Sequence, residues 1–293
     1  MNKQRKISQI IDAKTTTEGE GFTVHRVFPN QGLREFDPFL LLDEMGPIDL
    51  SPGQAKGAPD HPHRGFETVT YVIEGAFEHK DSQGNKGKLF SGDVQWMTAG
   101  SGVIHSEMPE EEFAKNGGRL HGFQLWVNLP KKDKMIKPRY QDISSKKIPI
   151  VLSEDEKVTI KIIAGQSMGK NAMIDTKIPI LYLHLSMKPG SKFVQEIPSD
   201  YNAFVYVARG KGLFGEEKKI AKKEQAVFFE RDGSEIIVFS PDDSEDPLEI
   251  LLFGGPPIGD PIVRYGPFVM NTEEEIQQAM NDYRNGKMGT IDF

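Results

Sequence analysis

The first half of the chain is a succession of short β-prone runs, which are divided by glycine- and proline-rich turns and show no helical periodicity between them. Strands at this spacing without intervening helices indicate an antiparallel barrel or sandwich. The 29 glycines and 19 prolines among 293 residues favour the same class over a helical bundle. The predicted strands of this half are 22–28, 39–44, 66–73, 88–90, 94–97, 103–108 and 120–127, with turns at 29–32 and 82–87.

The second half repeats this pattern of short predicted strands and turns, which indicates a duplication. Its predicted strands are 180–185, 204–207, 226–229, 236–239 and 248–253. The segment YVIEG at 71–75 matches YVARG at 206–210, an offset of 135 residues, and a turn and a further strand follow each segment. The chain is about twice as long as a typical domain. We therefore predict a duplicated barrel, with domains at 1–135 and 136–293.

Residues 130–148 are rich in lysine and poor in apolar side chains, and we interpret them as a solvated connection between the two halves. The lysines are Lys131, Lys132, Lys134, Lys137, Lys146 and Lys147. Short lysine runs also occur in nuclear localisation signals and nucleic-acid contacts. A formal net charge of −7 disfavours binding to a phosphate backbone, so we expect no direct nucleic-acid partner.

The chain contains no cysteine, which excludes disulfides, thiolate nucleophiles, iron–sulfur clusters and cysteine-based zinc sites. The absence of cysteine fits a protein of a reducing compartment. No apolar run of a secretory leader follows the charged start, and no stretch approaches the ~18 apolar residues of a membrane span. We expect a cytoplasmic monomer without a membrane partner, or a nuclear one if the source is eukaryotic.

One helix is predicted, near the end of the chain. Asn271 or Thr272 can cap its start, and Gly286 ends it. Its apolar side chains recur at helical spacing, which predicts core packing without chemistry. They are Ile276, Ala279, Met280 and Tyr283.

Two short segments carry the candidate chemistry, HPH at 61–63 and HSE at 105–107. Residues i and i+2 of a strand project to the same face, so each segment offers two ligating groups on one side. If the segments lie on neighbouring strands, three imidazoles and one carboxylate converge. Such ligands suit a mid-series divalent metal, and four of them leave two adjacent octahedral positions open. The alternative is a chance cluster of surface histidines.

Residues 61–72, HPHRGFETVTYV, and 92–109, GDVQWMTAGSGVIHSEMP, closely resemble motifs of the pirin family, a two-barrel branch of the cupins. Residues 39–47, 125–130 and 253–258 are similar to pirin sequences as well. The resemblance implies an all-β fold of two tandem cupin barrels (double-stranded β-helices, or jelly rolls) with a short C-terminal helix. The N-terminal cupin domain, 1–135, then binds the metal, and the C-terminal cupin domain, 136–293, lacks metal ligands.

The resemblance also implies a mononuclear iron site with His61, His63, His105 and Glu107 as ligands. Iron(II) is the implied metal, and manganese, nickel, cobalt, copper and zinc are the alternatives. Cupins usually take their carboxylate ligand from the first motif, at Glu67 here, whereas pirins take it from the second, at Glu107. We therefore expect Glu67 to be a hydrogen-bonding or surface strand residue and not a ligand.

The activity that the resemblance implies is that of a quercetin 2,3-dioxygenase-like oxidoreductase, with a flavonol and O2 as substrates and Glu107 as the catalytic base. Trp96, Phe66 and Trp126 are candidates for the wall of an apolar pocket. Pirins are also described as redox-responsive partners of transcription factors and metabolic enzymes, so a non-enzymatic iron-dependent binding partner is the alternative. A third hypothesis is a zinc or manganese isomerase, which needs the same ligands but no oxygen.

Other motifs receive structural interpretations. At the offset of 135, Glu196 and Pro198 stand in place of His61 and His63, so no metal cluster is expected in the second half. The segment GKGLFG at 210–215 fits G-x-G-x-x-G, but a charged stretch and a strand follow it, unlike in a dinucleotide site. The four histidines outside the two candidate segments are interpreted as packing or exposed residues: His25, His79, His121 and His184.

Overall fold

The structure is a computed structural model that describes residues 3–30 and 32–293, and strands dominate it. The strands up to residue 146 are β1 (Ile7–Asp12), β2 (Lys14–Glu18), β3 (Phe22–Phe28), β4 (Phe39–Leu50), β5 (Ala58–His63), β6 (Phe66–Glu74), β7 (Ala76–Asp81), β8 (Lys86–Phe90), β9 (Val94–Thr98), β10 (Val103–Pro109), β11 (Gly118–Asn128) and β12 (Arg139–Ile143). The later strands are β13 (Ile150–Leu152), β14 (Val158–Ala164), β15 (Gln166–Ser167), β16 (Lys170–Asn171), β17 (Leu181–Met187), β18 (Lys192–Glu196), β19 (Asn202–Arg209), β20 (Lys211–Phe214), β21 (Lys219–Lys222), β22 (Gln225–Phe229), β23 (Glu235–Phe239), β24 (Leu248–Gly255), β25 (Val263–Tyr265) and β26 (Phe268–Met270). The helices are α1 (Glu111–Asn116) and α2 (Glu273–Arg284), with 3₁₀ turns at Lys131–Asp133 and Ser145–Lys147. The predicted turn at 29–32 includes residue 31, which lies outside the described residues.

The chain groups into two compact units. The first barrel comprises Lys14–Lys146 and Ile258–Phe293, and the second barrel comprises the residues up to Ala13 together with Lys147–Pro257. This grouping differs at both chain ends from the predicted division at 135, because β1 pairs with β22 and because Arg64 bridges to Phe268. The boundary of the sequence duplication, 1–135 and 136–293, stays a prediction.

Two antiparallel sheets form the first barrel. One has seven strands in the order β12-β9-β6-β11-β4-β3-β2, and the other has four in the order β5-β10-β7-β8. Residues 39–42 at the start of β4 are buried without alternation, which is typical of a strand covered on both faces. Apolar side chains from both sheets pack into one core cluster. Its buried members are Val24, Met45, Val72, Phe77, Leu89 and Leu120.

The second barrel repeats this arrangement, which confirms the two-barrel, all-β architecture. Its sheets have seven strands in the order β1-β22-β19-β24-β17-β14-β13 and four in the order β18-β23-β20-β21. The two matching segments, 71–75 and 206–210, lie at the ends of β6 and β19, each the third strand of its seven-stranded sheet. The segment 210–215 contains β20, which pairs with β21 in a hairpin, so no helix follows the glycine motif and the dinucleotide interpretation stays excluded.

The C-terminal helix forms as predicted, with one change in its buried face. Thr272 and Glu275 make a reciprocal capping box at its start. Ile276 and Ala279 are buried, but the predicted core residue Tyr283 is exposed and Asp282 is buried in its place. Asp282 is buried because its carboxylate pairs with the Arg64 guanidinium at 2.9 Å. The short helix α1 was not predicted. None of the described helices is long and apolar enough to cross a membrane.

The lysine-rich segment 130–148 is a solvated connection only in part. β12 within it pairs with β9 along five residues. Lys134 is only 1% exposed, so the prediction that it belongs to a solvated face is wrong. The other five lysines of the segment are exposed, as expected.

Candidate metal centre

Three of the four predicted ligands converge in the first barrel. β5 and β10 are antiparallel neighbours whose register places His61 opposite His105 and His63 opposite Val103. The Nε2 atoms of His61 and His63 lie 3.1 Å apart. One ring nitrogen from each of the three histidines lies within 4.8 Å of the others. His63 and His105 are buried, so the cluster is not a chance grouping on the surface.

The hydrogen bonds of His61 leave one of its ring nitrogens as an acceptor that faces His63. Nδ1 of His61 donates a hydrogen bond to the Pro59 carbonyl at 2.7 Å, which leaves the lone pair on Nε2. Among the described residues, neither ring nitrogen of His105 has a hydrogen-bond partner. Burial, and next the neighbouring His61, lower the pKa of His63 and of His105 well below the usual range. Both rings are therefore neutral, the form that ligates metals.

The fourth predicted ligand, Glu107, lies two residues after His105 on β10 and lines the same cavity as His61 and His63. Its carboxylate accepts hydrogen bonds from Thr70 Oγ1 at 2.7 Å and from Gln124 Nε2 at 2.8 Å. These contacts orient the carboxylate. Within the described part of the chain, the converging group contains only the three histidines, so the role of Glu107 as a ligand stays a prediction.

A cavity of about 580 Å³ opens beside the cluster. Trp126 lines it, as predicted. Phe66 lies behind the wall, with its ring centroid 4.4 Å from that of Trp126 and 5.1 Å from that of His63. Trp96 is fully buried and is not part of the lining, so its assignment to the wall is wrong. The charged side chains of the lining are Glu18, Arg26, Asp43, Asp60, Glu107 and Arg264.

Sequence reasoning missed the residues that surround the ligands. Arg26 forms two hydrogen bonds to Asp43, at 2.8 and 2.6 Å, and a third to Glu18 at 2.5 Å. Trp126 Nε1 donates to Gln124 Oε1 at 3.0 Å, so a chain of hydrogen bonds runs from the cavity wall to Glu107. Apart from Trp126, none of these side chains was a candidate from the sequence, because each is separated in sequence from the histidines.

The other sequence candidates have structural partners. Glu67 is buried and accepts a hydrogen bond from Thr98 Oγ1 at 2.6 Å, which matches the expected strand role. His121 pairs with Glu44 at 2.8 Å, and His184 pairs with Glu249 at 3.0 Å. The remaining two lone histidines also have contacts, His79 with Gln95 and His25 with Thr15. In the part of the chain that the structure describes, no comparable cluster occurs in the second barrel.

The segment that follows His63 is fastened by two buried cations. Arg64 donates from Nε to the Ser101 carbonyl at 2.7 Å and from Nη1 to Asp282 at 2.9 Å. Nζ of Lys134 donates to the carbonyls of Gly65 and Val269, at 2.8 and 3.0 Å, and to the Asn128 side chain at 2.7 Å. Burial lowers the pKa of Lys134 to about 8, so at neutral pH the ammonium keeps all three donors.

Replacing Lys134 by methionine is expected to lower the free energy of unfolding by about 3 kcal/mol, because three buried oxygens lose their donor. Denaturant unfolding measures this change. Lys137→Met is the matched control, since Lys137 is an exposed lysine of the same segment. Equal stabilities of the two variants would show that the Lys134 contacts contribute nothing.

Comparison with known proteins agrees with this geometry. The Pirin family model matches residues 21–127, and the model of the Pirin C-terminal cupin domain matches residues 182–289. A pirin-like protein of Solanum lycopersicum is 45% identical over 288 residues, which cover 98% of this chain and 94% of the relative. Human pirin is 40% identical over 296 residues, which cover 99% of this chain and 96% of human pirin.

A solved structure extends the similarity to three dimensions. The crystal structure of quercetin 2,3-dioxygenase from Acinetobacter baumannii superimposes with a TM-score of 0.92 and 35% identity, covering 99% of this chain and 100% of that one. The family resemblance predicted from the histidine motifs is thereby confirmed. Because each half matches its own family model and the relatives align over nearly the whole length, the chain belongs to the pirin family.

Proposed function

We propose that this chain is a mononuclear iron protein that cleaves flavonols such as quercetin with molecular oxygen. The convergence of three neutral imidazoles at the wall of a cavity large enough for a small aromatic molecule carries the proposal. The structural similarity to a quercetin 2,3-dioxygenase supports the choice of substrate.

His61, His63, His105 and Glu107 are the proposed ligands. The lone-pair nitrogen of buried His105 has no partner among the described residues and fits a metal, because a buried polar atom without a partner is costly. Backbone carbonyls oriented toward Nδ1 of His61 and of His63 are the outer partners that ligating histidines usually have. We propose iron(II), and this donor set also accepts manganese, nickel, cobalt, copper and zinc. When bound, the ion would supply Lewis-acid chemistry to a substrate oxygen.

The residues of the chain bind the substrate and move a proton. Trp126 contributes apolar contact area at the cavity wall for the planar ring system. Glu107, oriented by Thr70 and Gln124, takes the proton of the flavonol 3-hydroxyl as general base. The apolar part of the wall keeps water away from the reacting atoms.

Oxygen consumption with quercetin tests the proposal. Purified protein of measured metal content is compared with free iron(II) at the same concentration, and the ring-cleaved product is identified by mass spectrometry. Product formed well above the free-iron rate, and only in air, is the expected result. No product above that rate would overturn the dioxygenase and favour the metal-dependent binding partner, whereas turnover without oxygen would favour an isomerase.

A further inference from the structure

Arg264 on β25 lines the cavity and makes few contacts of its own. Its guanidinium carbon lies 4.6 Å from the centre of the Trp126 ring, a cation–π geometry. Nη1 donates one hydrogen bond, to the Leu40 carbonyl at 3.3 Å. A guanidinium carries five N–H donors, so most of those of Arg264 are unused by the described residues.

The second arginine of the cavity, Arg26, differs from Arg264 in that carboxylates neutralise its charge. Asp43 and Glu18 both bind it, whereas no carboxylate of the described chain lies within ion-pair distance of Arg264. Burial, and next the charge of Arg26, lower the pKa of Arg264. An arginine nevertheless stays protonated in proteins. Asp43, Glu18 and Glu35 act on this pKa in the opposite direction from farther away, so Arg264 is a half-buried cation without a carboxylate of the described residues at ion-pair distance.

The carboxylates of the lining are engaged elsewhere. Glu18 and Asp43 bind Arg26, Glu107 accepts from two neutral donors, and Asp60 is exposed to solvent. Trp126 joins Arg264 to the histidine cluster, because the His63 ring lies 5.2 Å from the same indole. A planar ligand along Trp126 is thus within the reach of both groups.

We propose that Arg264 is the recognition residue for an anionic oxygen of the ligand, so that the cavity prefers planar aromatic molecules that carry an acidic group over neutral ones. A guanidinium binds a carboxylate or sulfonate through two parallel hydrogen bonds, and an apolar wall strengthens such a pair. The proposal rests on the proposed function only in taking this cavity as the ligand site.

Two probes with the same ring system test the preference. Quercetin and quercetin 5′-sulfonate differ by one anionic group, and quenching of the fluorescence of the two tryptophans, Trp96 and Trp126, is used to measure the binding of each. The wild type is expected to bind the sulfonate at least tenfold more tightly than quercetin. R264Q should bind both with the affinity of the wild type for quercetin, and R264K, which lacks the planar fork, should keep only part of the preference.

R119Q is the matched control, since Arg119 is an exposed arginine of the first barrel outside the cavity. It should keep the full preference. A wild type without the preference, or full preference in R264Q, would overturn the proposal. If R264Q does not fold, a full preference for the sulfonate in R264K would overturn the proposal. Loss of the preference in R264Q without oxygen consumption by any variant would uphold the recognition role and overturn the dioxygenase.

Discussion

Replacement of His63 by alanine is expected to strip the metal from the protein and to abolish turnover with it. Removing a hydrogen-bond partner of a ligand already costs about 10–100-fold in metal affinity, and removing a ligand itself should cost at least about 100-fold. We expect that the three remaining proposed ligands, two histidines and Glu107, do not hold the ion against dialysis. Elemental analysis of the dialysed variant, as moles of metal per mole of chain, measures the effect.

His25→Ala is the control for this experiment, because His25 lies on β3 of the same barrel and outside the cluster. It should retain the metal content of the wild type. Thermal unfolding of metal-free samples separates loss of the ligand from loss of the fold. A correctly folded His63→Ala variant with its full complement of metal would remove His63 from the ligand set.

The sequence predicted the histidine cluster because the relevant rule is local. Side chains two apart on a strand share a face, and this holds wherever the strand lies. The one long-range assumption was that 61–63 and 105–107 lie on adjacent strands, and β5 and β10 are adjacent. Even so, the register between these strands shifts between His105 and Glu107. The rule for residues two apart on a strand therefore predicted where the histidines lie, but it could not predict the position of the Glu107 carboxylate relative to them.

The surroundings of the cluster depend on chain topology, which local patterns do not encode. Arg264 and Pro267 reach the cavity from a segment more than 150 residues after the last predicted ligand. Lys134 looks like any surface lysine in the sequence, and only the three carbonyl and amide oxygens around it explain its burial. Likewise, no pattern in β1 indicates that it pairs with β22.

The second barrel shows what replaces the cluster. β18 and β23 take the places in its four-stranded sheet that β5 and β10 take in the first. Where β10 carries His105, β23 contributes Ile236 and Val238 to a large apolar cluster, together with Phe193 of β18. An interior filled by apolar side chains neither needs nor admits an ion. We therefore expect no metal ion at the place in the described part of this barrel that corresponds to the histidine cluster.

Replacement of Glu107 by glutamine is expected to lower turnover per bound metal by about 10²–10⁴-fold, the usual contribution of a general base. The amide cannot take the proton of the flavonol hydroxyl. Its oxygen can still accept from Gln124 Nε2, and its NH2 group then faces the Thr70 hydroxyl, which accepts as well as donates, so the variant should keep the position of the side chain. Metal content should fall less than in His63→Ala, because three imidazoles remain. Oxygen consumption normalised to metal content separates the two effects.

Asp60→Asn provides the comparison, since it removes a carboxylate from the exposed part of the same cavity wall. It should leave turnover per metal within twofold of the wild type, and the contrast with Glu107→Gln should persist across the pH range in which the protein is folded. If Glu107→Gln consumed oxygen as fast per metal as Asp60→Asn, the proton would have to leave through another group. The hydrogen bonds from Thr70 and Gln124 would then serve only to hold a buried charge, and Glu107 would be a structural carboxylate beside the histidines.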